Sequence, residues 1–337
     1  MPDSIFKILF SFFVLMISIS HKTKQFLVVL IKVWIVAAAF YFIYNQLASN
    51  SQLDWVQFQE KFRKNKSISG IAFIVSLSIL NRYLEILKWQ NLASFLKPTS
   101  VSQATQQVLA ALTAGIFTPN GIGEYAGKAL FYEKQQTKKV LFLNLICNGI
   151  QMVWTIFIGI LGLLYFNFKY QLLSTPTVWL LLGGVVLVVL FLFSIKKSTL
   201  KGYSIQKIIH KINAIPKAIH QKNILLGLCR YLVFSHQYYF LFLAFDVHLP
   251  YLTLISAVAS VYFLASSLPS FQFLDFAVKG SVAIFFFTIL GVNEWIVIFV
   301  STLMWFLNIV LPVMLGSYYV LRFKSPADAQ QQTNSIS

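Results

Sequence analysis

Two pairs of oppositely charged residues lie within stretches that are otherwise apolar. Glu124 and Lys128 are four residues apart in EYAGK, and Asp275 and Lys279 are four residues apart in DFAVK. On a helix this spacing places an acid beside a base, in the favourable order with the acid first. Each pair can hold a turn together or present a polar surface to a substrate, and the sequence leaves both interpretations open.

An arginine precedes each pair. Arg82 lies in NRYLEILKW together with Glu85, and Arg230 lies in CRYLVFSHQ. A guanidinium presents planar N–H donors that fit a phosphate group in bidentate geometry. The alternative is that these residues only anchor the ends of their helices at the membrane interface. The first interpretation predicts these lipid-binding residues: Arg82, Glu85, Glu124, Lys128, Arg230, Asp275 and Lys279.

A proline precedes each acid–base pair. In TPNGIGEYAGK, Pro119 interrupts a helix, while Gly121 and Gly123 permit a sharp turn and a close backbone approach. A helix beginning near Gly123 is expected to direct free N–H groups, and its positive end, toward an anion. Pro269 holds the corresponding place before Asp275. We predict re-entrant turns at Pro119, Gly121, Gly123 and Pro269.

These features recur in the same order, which predicts an internal duplication. Arg-Tyr-Leu comes first, the proline follows after 37 residues in one copy and 39 in the other, and acid–aromatic–Ala–x–Lys comes last. The copies cover about residues 25–166 and 178–322. The span that carries the second Arg-Tyr-Leu is the third predicted span after the one that carries the first, so the second copy is inverted in the membrane. Inverted repeats are typical of transporters, whose sites lie at the repeat interface.

Composition defines the class of protein that must position these residues. The 337-residue chain is 58% hydrophobic and 11% charged, and apolar stretches near the length of a membrane span recur along it. We predict an all-α, polytopic integral membrane protein with two re-entrant helical hairpins, in residues 102–134 and 251–290. About six full spans are predicted, at residues 25–47, 68–89, 140–166, 178–193, 224–245 and 296–320.

Basic residues predict the orientation. The stretch 196–222 contains seven lysines and no acid, which is typical of a cytoplasmic loop. The amino-terminal end of the first clear span and the carboxyl terminus are then cytoplasmic too, in a multi-pass protein of a bacterial-type inner membrane. Residues 25–324 form one transmembrane domain and 325–337 a polar tail. Residues 1–24 form an apolar and basic segment that can span the membrane, lie on it, or reflect a misplaced start.

The net charge of +17 is attributed to cytoplasmic loops and contact with anionic lipid, and no nucleic-acid partner is predicted. The sequence leaves protein partners open. Cys147 and Cys229 lie within apolar segments, as small buried hydrophobic residues do. No spacing of histidines or cysteines matches a metal site. We therefore predict no metal, no cofactor and no catalytic residue.

The first turn carries a family resemblance. TPNGIGEYAGK resembles the Pro-Gly-x-Gly-Glu element of the lysylphosphatidylglycerol synthase transmembrane-region family, also called flippase-like, and Arg82 in RYLEILKW also fits it. The resemblance covers roughly residues 25–322. The second turn, LPSFQFLDFAVKG, departs from the family element, with Ser270, Phe271 and Gln272 in place of glycines and Asp275 in place of glutamate. The sequence lacks the soluble aminoacyl-transferase domain of larger members.

The resemblance implies a lipid-handling membrane domain and not the synthase reaction. The expected function is to bind an anionic, phosphate-bearing lipid or move it between leaflets. One alternative is a membrane enzyme acting on a lipid-linked substrate, with Glu85, Glu124 and Asp275 as its candidate acids or bases. Another is a membrane protein that binds a partner and transports nothing.

Overall fold

The computed structural model describes residues 67–116, 118, 121–180, 183, 199–200, 203–268 and 271–323, with isolated positions at Leu30, Trp34, Tyr41 and Tyr44. Several predicted features lie outside the described residues. They are the amino-terminal segment 1–24, Pro119, Pro269, the polar tail and most of the predicted spans 25–47 and 178–193.

The regular secondary structure of the described chain is helical, apart from one short antiparallel pairing of Thr199–Leu200 with Tyr203–Ser204. Short 3₁₀ turns lie at Lys134–Gln136 and Gln272–Leu274, and a π turn lies at Phe306–Val310. In chain order the described helices are α1 (Ile68–Ala93), α2 (Val101–Gly115), α3 (Ile122–Ala129), α4 (Thr137–Tyr170), α5 (Ile205–Asn213), α6 (Lys217–Ala244), α7 (Tyr251–Ser267), α8 (Asp275–Ile289), α9 (Glu294–Trp305) and α10 (Leu311–Leu321).

Four helical runs of the described chain are long and apolar enough to cross a membrane. They are Ile68–Ala93, Lys134–Tyr170, Gln272–Ile289 and Glu294–Leu321. Helix α6 has 28 residues but carries several charged side chains, and α7 is apolar but shorter. The described part is thus an all-helical protein whose helix lengths and composition are compatible with a membrane protein.

Local sequence determines where these helices begin. Ser67 accepts a hydrogen bond from the Gly70 N–H at the start of α1. Ser100 and Gln103 form a reciprocal capping box at the start of α2, which satisfies two backbone donors that the helix leaves free. A proline directly precedes each of α6 and α7, where the missing N–H removes no helical hydrogen bond.

Helices α1 and α6 pack side by side in antiparallel orientation. Asn91, near the end of α1, donates to the Ile219 carbonyl near the start of α6. Phe73, near the start of α1, contacts Phe240 near the end of α6. The middle of each helix therefore faces the middle of the other, which places the two arginine segments in one layer.

Helices of the two halves of the protein pack against each other. The first half is residues 68–170 and the second half is residues 217–321. Helix α4 of the first half packs on α7 of the second, and α10 of the second half packs on α2 of the first. Glycines permit both contacts. A Cβ atom at Gly159 would lie 2.3 Å from the Phe263 Cβ, and one at Gly316 would lie 2.2 Å from the Leu109 carbonyl oxygen. Such close approach through small residues is common between membrane helices.

The turns of the two halves meet between these helices. The Phe273 N–H donates to the Ile116 carbonyl at 3.2 Å, and a Cβ atom at Gly121 would lie 3.2 Å from the Gln272 Oε1. One apolar cluster surrounds Phe242 and Phe287, and a second surrounds Trp89 and Cys147. The charged residues of the sequence motifs lie along this central contact.

Candidate functional site

The antiparallel packing of α1 and α6 creates an ion pair between the halves. The Arg230 Nη1 lies 2.9 Å from the Glu85 Oε2, and the Lys88 Nζ lies 3.2 Å from the same oxygen. The Lys88 side chain is completely buried and the Glu85 side chain is 5% exposed. One carboxylate therefore holds two cations, and the trio retains one positive charge.

Cys147 also contacts the Glu85 carboxylate. Its Sγ lies 3.8 Å from the Glu85 Oε1, and the residue is buried on α4. Cys147 and the partly buried Cys229 are both free. Cys147 thus packs as a small residue beside a carboxylate, in agreement with its apolar sequence context.

Arg82 is held by a backbone carbonyl. Among the described residues no carboxylate oxygen lies within 4.0 Å of its guanidinium. Its Nη2 instead donates to the Asn308 carbonyl oxygen at 2.5 Å. A carbonyl cannot neutralise the guanidinium, so Arg82 keeps its full positive charge at the site.

The sequence of the last helical run explains why this carbonyl is available. In an α-helix the Asn308 carbonyl would accept from the N–H of residue 312, but that residue is Pro312, which has no N–H. The π turn at Phe306–Val310 directly precedes it and widens the backbone. The Asn308 side chain also accepts from Asn81 and donates to Gln237. Pro312 thereby leaves the Asn308 carbonyl free of a helical hydrogen bond, so that it can accept from Arg82.

The first acid–base pair lies on α3. The Lys128 Nζ lies 2.8 Å from the Glu124 Oε1 and 2.7 Å from the Asn144 Oδ1, and it stands 4.6 Å from the centre of the Trp89 ring. Lys128 is completely buried, whereas the Glu124 side chain is 16% exposed. The buried Lys128 therefore holds the Glu124 carboxylate in place, and Glu124 is the member of the pair that a ligand can contact.

The turn before α3 needs its two glycines. Gly121 adopts a left-handed conformation with φ of 67°, and a Cβ atom at Gly123 would lie 2.5 Å from the Ala114 carbonyl oxygen. The Gly123 N–H donates to the Thr118 Oγ1 at 2.8 Å. Thr118 therefore caps the Gly123 N–H, which is not one of the free N–H groups that the sequence predicts at the start of this helix.

The second acid–base pair occupies the first turn of α8. The Lys279 Nζ lies 2.5 Å from the Asp275 Oδ2 and 5.2 Å from the centre of the Tyr262 ring. The side chains of Lys279 and Asp275 are 29% and 19% exposed. Unlike Lys128, Lys279 is therefore accessible to a ligand.

Two adjoining cavities open onto these groups. The larger has a volume of about 480 Å³ and is lined by Arg82, Glu85, Gly121, Glu124 and Arg230, among others. The smaller, of about 200 Å³, is lined by Arg82, Arg230, Asp275 and Lys279, among others. Both cavities share the two arginines. The structure thus brings together every predicted lipid-binding residue except Lys128, which lines neither cavity.

Comparison with protein-family models, curated proteins and solved structures finds no match. The resemblance to the flippase-like family therefore stays a prediction.

The cavity lining carries an excess of positive charge once the groups behind it are included. Three carboxylates and three cations line the two cavities. Lys88 and Lys128 lie directly behind this lining, each paired with one of its carboxylates. The cluster therefore contains five cations and three carboxylates, an excess of two positive charges.

Several buried donors at the larger cavity have no hydrogen-bond partner among the described residues. They are the Nε atoms of Arg82 and Arg230 and the Nε2 of Gln151. The Gln151 Oε1 accepts from the Arg230 Nη1 at 3.4 Å, which leaves its amide N–H groups unused. Buried donors without partners are costly, and they are a feature of sites that receive a ligand or water.

Sequence reasoning missed several polar residues of the site, among them Gln151, Gln272 and Asn308. Gln151 and Gln272 line the larger cavity, and Asn308 lines the smaller one. Pro312, four residues after Asn308 in an apolar span, was the available signal for a free carbonyl. Nothing in the sequence indicated that Gln151 would face Arg230, 79 residues away.

A third cavity lies away from this cluster. It has a volume of about 420 Å³, and Lys138, Lys139 and Lys211 line it together with apolar side chains such as Phe95 and Ile215. The basic start of α4 and the basic helix α5 therefore lie at the same end of the protein.

Proposed function

We propose that this protein binds an anionic, phosphate-bearing lipid between its two halves and moves it between the leaflets of a bacterial-type cell membrane. The observation that carries the proposal is the placement of Arg82 and Arg230, one from each half, at two adjoining cavities. Guanidinium groups suit phosphate oxygens because they donate several N–H bonds in one plane.

The charge balance supports an anionic ligand. An excess of two positive charges in a partly buried site is unfavourable without a counter-ion. The four long apolar helices favour an amphiphile as the source of that counter-ion, because its acyl chains can remain in the surrounding lipid.

An inverted repeat is part of the proposal, and the packing supports it. We equate α1 with α6, α2 with α7, α3 with α8, and α4 with the run from α9 to α10. Under this equivalence the contact of α4 with α7 corresponds to that of α10 with α2, and α3 with α4 corresponds to α8 with α9. The equivalent helices α1 and α6 run antiparallel, as inversion requires. About six spans and two re-entrant hairpins then follow.

The polar contacts repeat in the same way. Arg82 of the first half reaches Asn308 in the last helical run of the second half. Arg230 of the second half reaches Gln151 in the last helix of the first half. A site built from such reciprocal contacts can change when the halves rearrange, which alternating access needs.

The proposed orientation places the third cavity at the cytoplasmic face. Lys138, Lys139 and Lys211 belong to segments that the positive-inside rule assigns to the cytoplasm. Their shared cavity supports that assignment, because both segments lie at one end of the protein.

The ion pairs favour an enzymatic role less than they favour lipid binding. Glu85, Glu124 and Asp275 each pair with a cation. A general base needs a carboxylate that is free to accept a proton near its working pH. These pairs serve better to hold the arginines and turns in place.

Reconstitution tests the proposal. Purified protein in vesicles containing a fluorescent anionic lipid should accelerate leaflet exchange, and Arg82→Ala and Arg230→Ala should each abolish most of the acceleration at equal amounts of folded protein. Arg322→Ala is the matched control, because Arg322 lies over the Tyr318 ring at the end of α10. Unchanged exchange in both test variants would remove the arginines from the site and contradict the proposal.

A further inference from the structure

The charge and donor arrangement of the central cavities defines the headgroup more closely than "anionic". We infer that the preferred ligand is a lipid ending in a phosphate monoester, which carries two negative charges, and that a phosphodiester lipid with one charge binds less tightly. This inference rests on the proposed function and names the substrate class of the same site.

The first argument is electrostatic. Glu124 and Asp275 are each neutralised by one lysine, and Glu85 is shared between Lys88 and Arg230. Arg82 has no carboxylate partner among the described residues. Two positive charges therefore remain, centred on the arginines that both cavities share. A dianion balances them, whereas a monoanion leaves one charge uncompensated in a partly buried site.

The second argument is the number of free donors. Three buried N–H-bearing atoms at the larger cavity have no partner in the described structure: the Arg82 Nε, the Arg230 Nε and the Gln151 Nε2. A phosphate monoester has three terminal oxygens that accept hydrogen bonds. A phosphodiester has only two non-bridging oxygens and one charge, so two of the three donors would have to share one oxygen and the charge-assisted bonds would be weaker.

The third argument is the origin of these donors. Arg82 comes from α1, Arg230 from α6 and Gln151 from α4. The Arg230 Nη1 donates to the Gln151 Oε1, which fixes the amide with its N–H side unused. The Asn308 carbonyl holds the Arg82 Nη2 in a comparable way. Donors fixed in advance by protein contacts lose little freedom on binding, which favours selectivity between headgroups.

The decisive ligands are dioctanoyl phosphatidic acid and its methyl ester, dioctanoyl phosphatidylmethanol. They differ by one methyl group and one ionisable oxygen, so they separate charge and acceptor count from acyl-chain binding. Dioctanoyl phosphatidylcholine tests a zwitterionic diester. Inorganic phosphate tests whether the site takes a free phosphate in place of a lipid headgroup. Each is titrated into the full-length protein in maltoside micelles at pH 8, and binding is measured by calorimetry.

We expect phosphatidic acid to bind about tenfold or more tightly than phosphatidylmethanol, because a second charge pair in a partly buried site exceeds the strength of a solvent-exposed pair. Phosphatidylcholine and inorganic phosphate should bind more weakly than phosphatidic acid. Equal affinity for phosphatidic acid and its methyl ester would overturn the inference and leave the proposed function standing. Absence of binding by every anionic lipid would overturn both. Inorganic phosphate binding as tightly as phosphatidic acid would overturn the assignment to a lipid.

Gln151→Glu provides a charge test at nearly constant volume. The new carboxylate still accepts from Arg230 but removes one excess positive charge and one donor. We expect the preference for phosphatidic acid over its methyl ester to fall toward one. Gln135→Glu adds the same charge at an exposed position and should leave the preference unchanged. Gln151→Met, which removes the donor without adding a charge, should lower the preference partially. An undiminished preference in Gln151→Glu would contradict the inference.

Discussion

At the scale of single residues, the two arginines are placed in different environments. Arg230 lies against Glu85, whereas Arg82 lies against the Asn308 carbonyl. An arginine at the centre of a membrane helix costs about 2.5–3.5 kcal/mol by insertion scales. Both costs are reduced by hydrogen bonding, but of these two arginines only Arg230 has a carboxylate within 4.0 Å of its guanidinium in the described structure. Of the two arginines, Arg82 therefore has more to gain from the proposed anionic ligand.

The position of Arg82 should depend on Pro312. Replacement by Ala restores the N–H that can bond to the Asn308 carbonyl, in competition with the Arg82 guanidinium. We expect Pro312→Ala to lower the rate of anionic-lipid exchange while leaving the midpoint of thermal unfolding unchanged or higher, since proline within a helix is unfavourable. Leaflet-exchange assays and thermal unfolding in detergent measure the two effects.

Pro216→Ala is the control for Pro312→Ala, because Pro216 precedes α6 and lines neither of the two central cavities. A fall in exchange that is matched by a fall in unfolding temperature would indicate a general structural defect. An unaltered rate of lipid exchange would show that the Asn308 carbonyl does not position Arg82.

Glu85 should contribute to stability through its two cations. Glu85→Gln leaves Lys88 buried without a countercharge and weakens the hold on Arg230. Breaking a buried pair from one side typically costs about 3–5 kcal/mol. We expect a clear loss of thermal stability, partly restored by added anionic lipid. Glu133→Gln, at an exposed position, should show neither effect. Equal stability of Glu85→Gln and the wild type would remove Glu85 from the centre of this network.

At the scale of helices, glycines determine how closely the halves interlock. Gly316 meets α2 and Gly159 meets α7, each with too little space for a methyl group. Gly149, on the same helix as Gly159, has nothing within 4 Å of the position its Cβ would occupy. This difference gives a matched test of the packing.

Gly316→Ala should destabilise the protein by about 1–3 kcal/mol, since the methyl group would overlap the Leu109 carbonyl and the Thr113 side chain. Gly149→Ala should be neutral, or stabilising by up to about 1 kcal/mol, because alanine favours the helix more than glycine. Thermal unfolding of both variants in the same detergent decides the point. Equal destabilisation by the two substitutions would contradict the packing of α10 on α2.

At the scale of the whole molecule, α1 and α6 are antiparallel, so their carboxyl ends point in opposite directions. If both helices cross the membrane, the α1–α2 loop and the α6–α7 loop lie on opposite sides. The proposed orientation places the first inside and the second outside.

Cysteine labelling tests this arrangement in cells. Lys97→Cys and His248→Cys, both at exposed loop positions, are introduced separately with Cys147 and Cys229 replaced by Ala. A membrane-impermeant maleimide should label His248→Cys in intact cells, and Lys97→Cys only after permeabilisation. Labelling of both from the same side would rule out opposite orientations for α1 and α6. Labelling with the sides exchanged would reverse the topology while keeping the inversion.

Much of the site could be predicted from the sequence because its residues stand out against an apolar background. A charged residue within a membrane helix is unfavourable unless it has a partner, so Arg82, Glu124 and Asp275 were visible without a structure. The acid–base spacing also predicted both ion pairs on their helices, since residues four apart share a helix face. The all-helical architecture followed from the recurrence of long apolar stretches.

The tertiary structure decided which residue of each pair faces the cavity and what holds each arginine. Glu124 with Lys128 and Asp275 with Lys279 have the same spacing, yet packing buries Lys128 against Trp89 and leaves Lys279 accessible. The contacts of Arg82 with Asn308 and of Arg230 with Gln151 join residues 226 and 79 positions apart. Periodicity describes one helix at a time, so it predicts the face of a side chain, and only the packing of the helices determines its partner.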